Sequence, residues 1–175
     1  MIVNRGDMNI FGTDGIRGKA NEGYITPENA TKLAITVTNY YRSKSISWAN
    51  NKFTVVIGKD TRLSGYMLEP ALTAGFIAAG ADVILLGPIP TPAVAFLTRS
   101  LRADLGVVIS ASHNPYQDNG IKFNDANGYK ISIEDELSIS GLFFKESKLV
   151  THDHMGKARR LDDATGRYIE FIKST

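Results

Sequence analysis

The chain has 175 residues, 43% of them hydrophobic and 22% charged, with no cysteine. That length suits one domain with a core of its own, and the lack of cysteine excludes a disulfide scaffold or a thiolate metal site and fits a cytoplasmic setting. Twenty basic against eighteen acidic residues leave a formal charge of +2, too small an excess for a dedicated nucleic-acid or membrane-surface binder.

The first segment, Met1 to Met8, lacks the hydrophobic stretch of a signal peptide, and the apolar runs further on are too short to span a bilayer. Thr26-Pro27-Glu28 then reads as a helix start: a capping hydroxyl, a proline at the first position and a carboxylate at the positive end of the dipole. Ala30, Leu33, Ala34, Val37, Tyr40 and Tyr41 recur at helical steps, and the polar stretch Arg42 to Lys52 reads as a loop. Phe53 to Gly58 is a β-branched run expected to be a buried strand. A helix is expected within Leu63 to Ala79, with Pro70 restarting it after an irregular turn. Asp82 to Gly87 is a second strand, Thr91-Pro92 opens a short helix to Leu101, and Leu105 to Ser110 is a third strand.

Continuous apolar strands alternating with helices imply an α/β fold, a three-layer α/β/α arrangement around a mostly parallel, mixed sheet. Beyond residue 112 the texture changes. Turn signals at Asn114-Pro115, Asp118-Asn119-Gly120 and Asn127-Gly128 surround two short alternating pieces, Ile121 to Asn124 and Tyr129 to Ile133, which suit a hairpin or an antiparallel edge strand. Glu134 to Lys145 reads as a helix with Leu137 and Leu142-Phe143-Phe144 inside, residues 146 to 162 as loop, and Asp163 to Lys173 as a last helix carrying Tyr168, Ile169 and Ile172.

Ligands of open α/β sheets gather beyond the carboxyl ends of the parallel strands. The segments leaving those ends are Gly58-Lys-Asp-Thr-Arg62, Gly87 to Pro92 and Ser110-Ala-Ser-His-Asn-Pro115, with the Gly-rich Phe11 to Gly18 ahead of the first helix. Ser112, His113, Lys59, Arg62 and Arg17 combine hydroxyl, imidazole and cations in a way that suits phosphate handling. Sharper motifs fail on spacing. A P-loop needs glycine where Phe53 stands, and glycines 12, 15 and 18 do not make a dinucleotide fingerprint. Adjacent Ser112 and His113 lack a nucleophile elbow. His152-Asp-His154 in a polar loop reads as surface, and Arg5-Gly6-Asp7 as chance.

Ser110-Ala-Ser-His-Asn-Pro115 followed by Asp118-Asn-Gly-Ile-Lys-Phe123 resembles the phosphoserine loop of the α-D-phosphohexomutase superfamily. Phe11 to Gly18, Gly58 to Gly65, Pro90 to Phe96 with Leu97-Thr-Arg99, and Gly166-Arg-Tyr-Ile-Glu170 resemble its flanking motifs, most similar to the bacterial phosphoglucosamine mutase family. The resemblance implies that Ser112 carries a phosphoryl group and exchanges it with a hexosamine phosphate through a bisphosphate intermediate. It implies a Mg²⁺ ion on the serine phosphate, with Ser112 as the metal contact of this chain. It further implies that His113 and Lys122 transfer protons or touch phosphate, that Arg17 lies near the phosphoserine, and that Asn114 and Pro115 shape the loop. The plain alternatives are a turn serine at Ser112, a loop-holding His113, an exposed Lys122, an Arg17–Asp14 ion pair, and capping roles for Lys59 and Arg62.

By the same resemblance, residues 1–8 are an N-terminal extension and residues 9–175 are domain 1, the phosphoserine domain. The family's other domains are its partners, and its D-G-D-G-D metal loop does not occur in the sequence. The isolated chain is therefore expected to be inactive and to self-associate through an exposed domain interface. Alternatives are domain 1 of a phosphomannomutase or phosphoglucomutase, or a non-catalytic fragment acting as a folded binding domain.

Overall fold

A computed structural model describes residues 9–44 and 52–174. The expected N-terminal extension therefore lies outside the described residues, as does most of the loop expected after the first helix. The elements run β1 (Ile16–Lys19), α1 (Pro27–Lys44), β2 (Thr54–Lys59), α2 (Gly65–Ala78), β3 (Asp82–Pro88), α3 (Thr91–Ser100), β4 (Leu105–Ile109), β5 (Asp118–Asp125), α4 (Ile133–Phe143), β6 (Ala158–Arg160) and α5 (Ala164–Lys173).

Among the described residues, six strands form one sheet in the order β1-β5-β4-β2-β3-β6. The four strands β4, β2, β3 and β6 run parallel, while β5 is antiparallel to both β4 and β1. The three-layer mixed arrangement expected from the sequence is thus present. The period-2 alternation explains the two cores. Val55 and Ile57 of β2, with Leu105, Val107 and Ile109 of β4, pack against α1, α2 and α4. Val56, Ile84, Leu86 and Val108 face the opposite way, onto Ala93, Val94 and Leu97 of α3 and Ala164 of α5.

Several local expectations need correction. Pro70 does not restart α2; it sits inside a helix that begins at Gly65. Its ring faces solvent, and Tyr66, whose carbonyl loses a bond there, is exposed too, so water can satisfy what the proline removes. Arg42 to Lys44 belong to α1 rather than to a loop, because their charges find partners at the helix's negative end. Arg42 donates to the Ala79 carbonyl at 2.9 Å, and Lys44 pairs with Asp135 at 2.6 Å.

The piece from Ile121 is an internal strand, β5, covered by β1. The piece from Tyr129 only folds back on it through a bridge between Asn124 and Lys130. In α4 the inward stripe is Glu136, Ile139, Ser140 and Phe143, while Leu137 (55% exposed) and Phe144 (47%) point outward. The phase is set by polar anchors: Ser140 accepts from the Ile10 amide at 3.2 Å, and Glu136 pairs with Lys130 at 3.0 Å. Residues 146–162 are not all loop, since β6 pairs with β3 and a 3₁₀ turn covers His152–His154. In α5, Tyr168 packs near Phe96, whereas Ile169 and Ile172 are exposed. Among the described residues no helix is long and apolar enough to cross a membrane.

Candidate phosphoryl-relay site

The carboxyl end of β4 delivers the chain into the loop Ser110 to Gln117, and β5 and β1 lie beside it. Their register puts Val108 opposite Lys122 and Arg17 opposite Gly120. Ile16, Ile109 and Ile121 enter the core under α1, α2 and α4, so alternation sends Arg17 and Lys122 to the other face of the sheet. Gly15 and Gly120 permit the close approach. A Cβ on Gly15, whose φ is +86°, would stand 2.6 Å from the Ile121 carbonyl oxygen, and one on Gly120 would stand 2.8 Å from that of Ser110.

Ser112 is exposed and holds φ +57°, the left-handed region that a side chain rarely occupies. Its amide donates to Ser110 Oγ at 3.0 Å, and its own Oγ lies 3.4 Å from His113 Nδ1. Asn114 links the loop to the cations: its Oδ1 accepts from Arg17 Nη1 at 3.2 Å, and its Nδ2 donates to Asp118 at 3.0 Å. Asp14 joins the cluster through one oxygen that accepts from both Arg17 Nη2 and, at 2.6 Å, Lys122 Nζ. The bond from Lys122, reinforced by the charges of Lys122 and Arg17, outweighs partial burial and holds the Asp14 carboxyl below its ordinary range. Arg17 Nε is a buried donor without an acceptor among the described residues.

The structure thus brings together Ser112, His113, Asn114, Arg17 and Lys122. Arg17 pairs with Asp14 and also donates to Asn114 of the serine loop. Lys59 stands apart, buried in an ion pair with Glu69 at 2.6 Å. His152 and His154 lie exposed in their 3₁₀ turn. Sequence reasoning missed Asp14 as the hub and Asn119 as a buried strut that donates to Ser64 Oγ at 2.8 Å. It also underrated Arg62, which touches three carbonyl oxygens of the serine loop and a fourth, that of Asp118, at the start of β5. The sequence signals were an Asp inside a Gly-rich turn and a charged run directly after a strand.

The site suits an anion better than a free metal ion. Among the described residues no three His, Cys, Asp or Glu side chains are grouped to hold a metal. The carbonyls of Ser112, Asn114, Pro115 and Asp118 are already engaged by Arg62. Ser112 Oγ, or a phosphoryl group upon it, is what this loop can present to a cation. Such a single contact fits a Mg²⁺ ion only as one ligand of an octahedral set.

Comparisons with known proteins bear on the family and the fold. The family profile described as phosphoglucomutase/phosphomannomutase, alpha/beta/alpha domain I, matches residues 8–150. A curated phosphoglucosamine mutase from Paramagnetospirillum magneticum is 60% identical over 168 residues, and one from Rhodospirillum rubrum is 56% identical; each alignment covers 95% of this chain and 36% of the relative. The chain therefore spans little more than a third of the curated relatives it matches. A solved Thermus thermophilus protein assigned as a phosphomannomutase superposes with a TM-score of 0.78 at 33% identity, covering 94% of this chain and 35% of that one. A phosphoglucomutase/phosphomannomutase family protein from Burkholderia thailandensis gives 0.75 at 26% identity, covering 93% and 35%. The chain belongs to the phosphoglucomutase/phosphomannomutase family, of which it is the α/β/α domain I.

Proposed function

We propose that this chain is the phosphoserine domain of a phosphoglucosamine mutase, with residues 9–175 as the domain, and that Ser112 relays a phosphoryl group between the 6- and 1-positions of glucosamine phosphate. The observation that carries the reading is an exposed serine in the loop that leaves a parallel strand, a loop whose Asn114 accepts from Arg17, itself joined to Lys122 through Asp14, in a chain 54–60% identical to proteins named for that activity.

In the forward half-reaction the bond between phosphorus and Ser112 Oγ breaks, and a new P–O bond forms to a sugar hydroxyl. That hydroxyl releases its proton to a base, and Ser112 Oγ takes one up. The bisphosphate then returns its other phosphoryl group to Ser112, restoring the starting state. His113 exchanges that proton, a role supported by its Nδ1 lying 3.4 Å from Ser112 Oγ. Lys122 and Arg17 supply positive charge to the phosphoryl oxygens, because transfer of this group is governed by positioning and electrostatics. Asn114 fixes the loop against Arg17. A Mg²⁺ ion bound to the phosphoserine oxygens would neutralise charge there, and its remaining ligands would come from the domains that complete the enzyme. Those domains are the chain's partners, together with a hexosamine phosphate, in a cytoplasmic setting.

The test uses this chain joined to the remaining domains of the Paramagnetospirillum relative. Ser112→Ala should abolish both phosphate incorporation and glucosamine phosphate turnover; turnover surviving in that variant would refute the relay. Glucose and mannose phosphates offered alongside report hexose choice.

A further inference from the structure

We infer that Arg62 is the positioning residue of the serine relay: its guanidinium sets the backbone of the Ser112 loop and does not bind phosphate. The inference rests on the relay reading above.

An arginine side chain has five N–H donors and no acceptor. All five of Arg62 are engaged. Nε donates to Asp60 Oδ2 at 3.0 Å, Nη1 to the carbonyls of Pro115 (2.5 Å) and Asp118 (3.0 Å), and Nη2 to those of Ser112 (2.9 Å) and Asn114 (2.8 Å). The planar fork thus gathers the carbonyls of residues 112, 114, 115 and 118 on one guanidinium. Asp60 fixes the fork from behind, since its other oxygen accepts from the Arg62 amide at 3.0 Å. The base is also rigid: the Asp60 amide donates to the Ile109 carbonyl at 3.0 Å, and Ser64 Oγ accepts from buried Asn119 at 2.8 Å. The segment 60–64 is therefore a cradle for everything between the end of β4 and the start of β5.

Two consequences separate this role from phosphate binding. With no donor left over, Arg62 has nothing to offer a phosphoryl oxygen, unlike Arg17 and Lys122. And the carbonyl of Ser112 itself is one of its acceptors, at a residue held in the left-handed region. Without the fork, that residue is free to leave φ +57° and carry its Oγ away from the line of transfer. A lysine keeps the charge but presents three donors on one nitrogen, so it cannot span the four carbonyls.

The experiment compares Arg62→Lys and Asp60→Asn with wild type in the chain joined to the Paramagnetospirillum domains. Arg62→Lys should lower kcat about 100-fold, the scale of a displacement of about 1 Å at a reacting centre. KM for glucosamine 6-phosphate should stay within about threefold, because phosphate contacts are intact. Asp60→Asn, which keeps the shape and loosens only the support, should fall between the two. In the 175-residue chain, amide hydrogen exchange of Arg62→Lys should quicken at residues 110–118 and stay unchanged in β2 and β4. An Arg62→Lys enzyme with kcat within about threefold of wild type overturns the inference, as does a loss confined to KM, the mark of a phosphate contact. If β2 and β4 also lose protection, Arg62 is a general fold residue, and the inference fails on that ground. A failed relay shows differently: Ser112→Ala would then turn over as wild type does, whatever the result at Arg62.

Discussion

Gly15→Ala tests whether the close approach of β1 and β5 builds the site. The substitution meets two obstacles. The residue holds φ +86°, which costs a side-chain-bearing residue about 1–2 kcal/mol. The new Cβ would also stand 2.6 Å from the Ile121 carbonyl oxygen and 2.8 Å from Lys122 Cγ. The lysine stem can swing aside. The carbonyl cannot, because Ile121 lies in a strand paired on both sides, with β1 and with β4. Overpacking of that kind costs about 1–3 kcal/mol. Together the two effects reach about 2–5 kcal/mol, a large share of the roughly 5–15 kcal/mol that holds a domain folded. Urea unfolding followed by circular dichroism measures the loss directly. In a thermal melt it corresponds to a fall of roughly 5–20 °C for a chain of this size. Gly141→Ala is the matched control: nothing among the described residues lies within 4 Å of its Cβ position in α4, so it should gain about 0.5–1 kcal/mol from helix propensity. A Gly15→Ala protein within about 0.5 kcal/mol of wild type, or an equal loss in both variants, would refute the reasoning.

Two further outcomes follow from other polar contacts. Burial raises the Asp135 carboxyl, but bonds from Lys44, Tyr40 and Ser132 outweigh it and hold the group below its ordinary 3.8 when folded. That stabilisation is complete above 3.8 and is lost as pH falls from there through the lower folded value. Acid titrations of unfolding should therefore show a shallower decline in Asp135→Asn than in wild type. The Lys59–Glu69 pair is almost fully enclosed, and Glu69 Oε1 has no partner among the described residues. Lys59→Met alone should cost about 3–5 kcal/mol by stranding the carboxylate, while Lys59→Met with Glu69→Leu should recover most of it; a double variant no better than the single would contradict this.

Composition and periodicity carried three of the four parallel strands, because β2, β3 and β4 are apolar runs buried on both faces and advertise themselves without context. The capped start of α1 was equally local: Thr26 Oγ1 accepts from the Asn29 amide at 3.3 Å. The serine loop was legible for another reason, since its residue types and order resemble a known family's. Elements held by pairing with distant partners were not. β1 and β6 are short, and all three residues of β6 are exposed, so each exists only because a neighbouring strand offers its backbone. The phase of α4 escaped because Ser140 and Glu136 anchor it, and hydrophobicity alone favoured Leu137 and Phe144.

The same division runs through the site. Local sequence determined which groups are available: a serine, a histidine and two cations near strand ends, in a layered α/β domain. Tertiary structure decided what each one touches. Asp14 and Lys122 meet across 108 positions of sequence, and Arg62 reaches the Ser112 carbonyl across 50. A hydrogen bond depends on the distance and direction between two groups, and chain order fixes neither until the sheet has folded.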